Sequence, residues 1–373
     1  MSSTPTAPDP EVLPSSDPTT QQPPGSDGGN KSSLLGGRDS RELMRAILTA
    51  DHNSVLIALV LVIAVCGIAH PSFLSLFQIQ IILGQSVYVG VIACGMAFLI
   101  AMRELDLSVA SVLALTGGIA ALLMNQGWNP WLAVFAALAI AGVIGATNGF
   151  LAVAIRIPAL LATLATAYLW NGFNDGITSS NTVTPGLTSN EESIAGNHAA
   201  SSSFFSLFSG HFLSLPVAFW FMVAFMILLT VILRYTPFGY RVRSIGSNPE
   251  AAAFSGIPLK RVRYQAFILT ALAAGLAGVI SLGVLKDADP SVGGADNLLA
   301  IAAVIIGGTA FRGGTASIFG AMVGAILLSA VTSGLIYFNI SENWTQFALG
   351  AVILVAVTVD SVIRLGRRDP VVS

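Results

Sequence analysis

Side chains able to do covalent chemistry are few and scattered in this sequence. Four histidines, His52, His70, His198 and His211, sit at the edges of apolar segments or in a polar loop, where solvated rings are expected. No pair of acids and no Ser-His-Asp set suggests catalysis. Cys66 and Cys94 both lie in apolar stretches, as small packing residues do, and neither has partners for a metal site or a disulfide. The sequence lacks a Gly-Lys dipeptide, so it has no phosphate-cradling loop of the G-x-x-x-x-G-K-[ST] kind. Asp106 is the only carboxylate near membrane depth in the first half, beside Arg103 and Glu104. The buried run of acids or histidines that proton-driven carriers use is missing. These residues describe a pathway without its own engine: not an enzyme, with no metal and no cofactor bound by the chain.

One polar stretch is organised. In "SNPEAAAFSGIPLKRVR", Asn248 is an N-cap, Pro249 fits the first helical position and Glu250 suits the positive helix start. Ala251, Ala252 and Ala253 favour helix. Gly256 can take a left-handed residue beyond the helix end, and Pro258 stops continuation. About two turns are marginal in isolation, so this helix must dock, on its own protein or in a groove on a partner, and Phe254 offers the apolar contact.

The elements that must position these residues are apolar. The chain has 373 residues, 54% apolar and 10% charged, with mean hydropathy +0.77. A soluble domain carries roughly a quarter charged residues. Ten apolar segments recur near the length a bilayer requires: 54–69, 77–101, 105–124, 131–153, 157–172, 215–233, 264–285, 297–310, 315–338 and 344–363. Where they meet lipid they must be helical, because no water satisfies bare backbone groups. The expected fold is an all-α polytopic transmembrane bundle of about ten spans, with short or broken helices near its centre. Residues 1–45, rich in Pro, Ser, Thr and Gly, read as a disordered tail; 46–366 form the membrane domain and 367–373 a second short tail.

Basic residues set the orientation. Arg38, Arg41 and Arg45 precede the first span; Arg103, Arg156 and Arg312 follow the second, fourth and eighth. Arg234, Arg241, Arg243, Lys260, Arg261 and Arg263 fill the loop after the sixth, and Arg364, Arg367 and Arg368 follow the tenth. All then fall on the cytoplasmic side, with both termini, and only Lys286 falls outside. The outer loop 173–214 contains no Lys or Arg.

Two places break the pattern. Only "RELD" separates the second and third segments, and the eighth is short and runs into "IIGGTAFRGGTAS". Gly-interrupted spans in transporters often unwind where they line a cavity, although small residues also serve tight helix packing. "ASVLALTGGIAALL" from Ala110 aligns with "ASIFGAMVGAILLS" from Ala316, pairing Ser111 with Ser317, Gly118 with Gly324 and Leu122 with Leu328. Both stretches follow a polar break, as in repeats that flank a central pathway.

Four motifs in order resemble those of the permease subunits of bacterial ABC importers of the ribose/xylose type, related to branched-chain amino-acid permeases. "ELDLSVASVLALTGG" is similar to the family's "GIDLSVGS" segment, and "NGFLAVAIRIPALLATLATAYLWNG" to "NG…PxFIATL…RG". "GSNPEAAAFSGI" resembles the loop expected to contact the ATPase, and "AIAAVIIGGTAFRGGTASIFGAMVGA" resembles "AIAAVVIGGTSLxGGxGS…G". The likeness covers about Val55 to Asp360. Departures are Arg103-Glu104-Leu105 where the family has Gly-Gly-Ile, Ala110 for Gly, Leu160 for an aromatic residue, and the long outer loop.

The resemblance implies a multi-pass protein of the bacterial inner or plasma membrane: two permease copies, identical or related, around one pathway. It also implies an ATPase subunit holding ATP and Mg²⁺, an extracytoplasmic binding protein delivering a monosaccharide, a lipid surround and no nucleic acid. Asn248, Pro249, Glu250, Ala251, Ala252, Ala253, Phe254, Ser255 and Gly256 are the expected ATPase contact. Asp106, Ser108, Asn148, Thr163, Thr166, Asn171, Thr309 and Thr315 could line or shape the pathway with Gly307, Gly308, Gly313 and Gly314, or bond neighbouring helices. The same machinery could carry a branched-chain amino acid, a nucleoside or a signalling furanose. A stand-alone carrier is the rival of another class, but it has no use for a docking helix.

Overall fold

The computed structural model describes residues 53–186, 202–294, 296–341, 344, 346–351, 354 and 358. The expected tails 1–45 and 367–373, and most of the segment 344–363, lie outside the described residues.

Helices α1 (Asn53–Ala69), α2 (Leu76–Ala101), α3 (Val109–Asn125), α4 (Pro130–Gly149) and α5 (Ala159–Thr178) follow one another. After a short α6 (Ser203–Phe208) and a two-residue hairpin, β1 (His211–Phe212) against β2 (Leu215–Pro216), come α7 (Val217–Tyr235), α8 (Pro237–Ser247) and α9 (Pro249–Phe254). Helices α10 (Leu259–Leu285), α11 (Asp296–Ile306) and α12 (Ile318–Tyr337) follow. Among the described residues the regular structure is helical apart from one small hairpin and an isolated bridge between Val183 and Ala288. Among the described residues five segments, 76–101, 130–154, 217–235, 259–285 and 318–337, are each long and apolar enough to cross a bilayer.

Local chemistry starts many of these helices in the same way. Asn129-Pro130, Thr236-Pro237 and Asn248-Pro249 each place a side-chain acceptor before a proline that needs no hydrogen bond. Asn129 Oδ1 accepts from the Trp131 N–H at 3.0 Å, and Thr236 Oγ1 from Gly239 N–H at 3.3 Å. The end of α4 loosens into a π-turn over Phe150–Ala154 and stops at Arg156, φ +69.

Burial separates centre from edge. The most apolar windows of α2 and α12 are 72% buried, whereas that of α7 is 22% buried, so α7 is peripheral. Helix α10 packs on α2, α3 and α4, while α12 packs on α2 and α11. On the periphery Val60, Ile68, Phe135 and Val143 stand exposed, a surface suited to lipid.

Several sequence expectations are corrected. The loop after the sixth segment is largely helical: α8 and α9 occupy it, and Lys260, Arg261 and Arg263 lie in the first turns of α10. Helix α5 continues to Thr178, into the expected outer loop, because Asn174 and Thr178 pack against Gly118 of α3. His70 is half-buried, not solvated: its ring meets Phe338 edge-on at 5.2 Å and Tyr337 at 5.9 Å. His211 is exposed, and His52 and His198 lie outside the described residues. Cys66 and Cys94 are buried and free, as their apolar settings suggest.

The repeat survives as two helices that each restart after a break. In that register α12 begins later than α3, since Gly313 and Gly314 hold left-handed φ values of +81° and +88° and keep the chain unwound.

Candidate functional site

The break between α2 and α3 is closed by a buried polar cluster. Asp106 is 0% exposed, and its Oδ1 accepts the Ser108 N–H at 2.8 Å and the Ser108 hydroxyl at 2.6 Å. From α4, the Asn148 amide donates to Ser108 Oγ at 2.7 Å and to Asp106 Oδ2 at 3.3 Å. Asn148 Oδ1 accepts from Thr166 of α5 at 2.8 Å, and Thr163 Oγ1 accepts from the Leu107 N–H at 3.1 Å. Donors and acceptors inside an apolar bundle are strongly favoured to pair, since an orphan costs about 1–3 kcal/mol. These five side chains therefore brace three elements. All are buried, so in this conformation they shape the bundle and present no surface to a solute.

The second break follows α11. At about 1.5 Å per residue, its eleven residues span about 16 Å, half of a bilayer core. Gly308 has φ +92, and Thr309 Oγ1 accepts the Ser317 N–H at 3.0 Å, tying the start of α12 to the end of α11. Gly307 and Gly320 meet backbone to backbone: a Cβ at Gly320 would lie 1.8 Å from the Gly307 oxygen. Thr315 is exposed and outside this packing.

The two breaks touch each other. The Gly314 N–H donates to Ala101 O at 2.9 Å. The end of α8 is wedged against the same point, since a Cβ on Gly246 would lie 1.8 Å from Ala101 O and 2.4 Å from Gly314 N. Arg103, at φ +66, donates from Nε to Gly246 O at 3.1 Å and from Nη2 to Ser247 O at 3.2 Å. Glu104 pairs with Arg263 at 2.5 Å. Burial pushes the Glu104 carboxyl up, against the opposing pull of the Arg263 guanidinium.

Beside this junction stands α9. Asn248 Oδ1 accepts the N–H groups of Glu250 at 3.1 Å and Ala251 at 3.0 Å. At the other end Ile257 N–H reaches Ala252 O, Gly256 N–H reaches Ala253 O, and Gly256 sits at φ +77. Ala252 faces the protein, whereas Phe254 is 94% exposed.

Where α5 and α10 end, at the opposite end of the bundle, a polar cup of about 560 Å³ opens. Its wall includes Asn171 and Asp175 of α5, Ser180, Thr182, Asp289 and Ser291 from the following loops, and Asn297 of α11. Paired backbone bonds of 2.9 Å between Val183 and Ala288 tie the two loops together. The cup reaches down to the first turn of α3, where Asn297 Oδ1 accepts the Ala110 N–H at 2.8 Å. The starts of α3 and α11 thus converge at its floor. Two bonds from Ser291, at 2.8 and 2.7 Å, hold the Asp289 carboxyl below the usual range. Among the described residues no lysine or arginine lines the cup.

The expected site residues therefore divide into four groups, with exposed Thr315 outside all of them. Asp106, Ser108, Asn148, Thr163 and Thr166 form one cluster, and Gly307, Gly308, Thr309, Gly313 and Gly314 build the second break. Asn248 to Gly256 form α9 and its caps, and Asn171 alone faces the cup. Sequence reasoning missed Asp175, Asp289, Ser291 and Asn297. The signal available was "DADPS" after a long apolar run, acids and a serine in a stretch with little positive charge.

Residues 78–357 match the family described as "Branched-chain amino acid transport system / permease component". The chain is 33% identical to a ribose import permease of Haemophilus influenzae over 82% of its length and 91% of the relative's. It is 35% identical to the ribose import permease of Bacillus subtilis, over 82% and 91% of the two chains. It is 29% identical to an L-arabinose ABC transporter permease of Azospirillum brasilense, over 85% and 90%. No solved structure matches. The chain belongs to this permease family: it is a multi-pass membrane subunit of an ABC transporter, and not an enzyme.

Proposed function

We propose that the chain imports a pentose. A binding protein outside the membrane delivers the sugar to the polar cup, and an ATPase docked on α9 drives its passage. ATP and Mg²⁺ belong to that partner. The cup carries this reading: amides, hydroxyls and two carboxylates suit a neutral polyhydroxylated solute. A branched-chain amino acid could set its ammonium against the two acids, but among the described residues the wall has no cation for its carboxylate. The names of the ribose and arabinose relatives support the pentose.

The basic end, with Arg103, Arg156, Arg241, Arg243, Lys260 and Arg263, faces the cytoplasm, and the cup faces outward. A second permease copy, identical or related, closes the pathway. The exposed face of α5, with Leu161, Tyr168 and Asn171, is offered to it.

The test is ATP-dependent uptake in vesicles containing the permease, its ATPase and its binding protein. Labelled ribose, arabinose and xylose are compared with leucine. Uptake of a pentose is expected, and uptake of leucine alone would overturn the reading. Phe254→Asp, at an exposed position, should leave the permease in the membrane without its ATPase.

A further inference from the structure

We infer that the adjacent residues Arg103 and Glu104 form a two-armed clamp that grips both flanks of α9 and carries its movement into the Asp106 cluster. The inference rests on the reading that α9 is the ATPase contact. One arm lies before α9. The last carbonyls of a helix have no partner within it, and a cation there is favourable. Arg103 meets two such groups at the end of α8, Gly246 O at 3.1 Å and Ser247 O at 3.2 Å, immediately before the Asn248 cap. The other arm lies after α9, where Glu104 holds Arg263 in the first turns of α10 at 2.5 Å.

The clamp has little freedom to slip. Arg103 adopts φ +66, a conformation that favours glycine and costs other residues. The residue that holds this conformation is an arginine with two of its guanidinium nitrogens engaged, Nε and Nη2. Gly246 touches Ala101 O so closely that no side chain fits between them. Two residues beyond Glu104, Asp106 is locked to Ser108 and Asn148. A shift of α9 must therefore either break the clamp or move the break, and through it the end of α4 and the start of α5.

The positioning role is separable from folding. Arg103→Gly removes one arm and relieves the backbone at once. Glu104→Arg reverses the other arm, and adding Arg263→Glu restores an ion pair without changing the charge of the small cavity these two share with Arg156 and Lys260. Each variant is reconstituted with the ATPase and binding protein, and sugar uptake, ATP hydrolysed, permease level and bound ATPase are measured. Arg103→Gly and Glu104→Arg should keep the permease level and the bound ATPase but raise the ATP hydrolysed per sugar by about tenfold, within the usual range of coupling energies. The charge swap should return that ratio towards wild type. Wild-type stoichiometry in both single variants, a loss of uptake that only follows a loss of permease, or a swap that restores nothing would each overturn the clamp. ATPase bound normally by Phe254→Asp would instead overturn the reading of α9, whatever the clamp variants do.

Discussion

Asn148 and Asp106, far apart in sequence, meet at 3.3 Å inside the bundle, and the same amide nitrogen holds Ser108 Oγ at 2.7 Å. The contact makes Asp106 an acceptor. Both of its oxygens are already engaged by donors, with no cation among their partners.

Asp106→Asn should therefore retain a measurable part of uptake. The new amide oxygen can still accept from Ser108, but its NH₂ faces that of Asn148, which costs about 1–3 kcal/mol. Asp106→Leu takes the acceptor from the Ser108 N–H and hydroxyl, leaves the Asn148 amide only its bond to Ser108 Oγ, and should abolish transport. Uptake is compared at matched membrane levels. If Asn and Leu are equally inactive while both proteins reach the membrane, the charge itself is required.

Gly320→Ala should be severe for a different reason. Its methyl would fall 1.8 Å from Gly307 O and 2.7 Å from Gly307 C, both backbone, and 2.6 Å from Ser317 Oγ. Overpacking in cores costs about 1–3 kcal/mol, and backbone has the least room to yield. Thermal unfolding in detergent should show a clearly lowered midpoint. Gly172→Ala, with open space around it, is the control and should melt as wild type.

At the cup, Asn297→Ala removes the cap on the Ala110 N–H and a polar wall group together. Asn171→Ala removes only a wall group. Both should raise the KM for uptake, and Asn297→Ala should also lower the maximal rate, because the start of α3 loses its fixed position. Steady-state uptake against the concentration of loaded binding protein separates the two effects.

Topology is testable because Cys66 and Cys94 are buried and give little background. Ser214→Cys beside the hairpin should react with an impermeant thiol reagent on intact cells. Ser255→Cys at the end of α9 should react only after the membrane is opened. The reverse result would invert the orientation drawn from the basic residues.

The sequence by itself determined the class of this protein and much of its outline. Apolar length and the scarcity of charge gave a membrane bundle, because a bilayer leaves helices as the only satisfied form for such segments. The caps of α9 were legible because capping is local: Asn248, Pro249, Gly256 and Pro258 act within a few residues of one another. The two breaks were visible as "RELD" and "GGTAFRGG". What filled them was not. That Asp106 faces Asn148, that Arg103 reaches Gly246 and Ser247, and that Gly320 lies on Gly307 are contacts between distant segments, fixed by packing and not by periodicity. The cup shows the same limit most clearly. Asp175, Asp289 and Asn297 are ordinary loop or helix-end residues in the linear chain. Only the fold, by tying Val183 to Ala288 and starting α11 partway through the bundle, turned them to one wall.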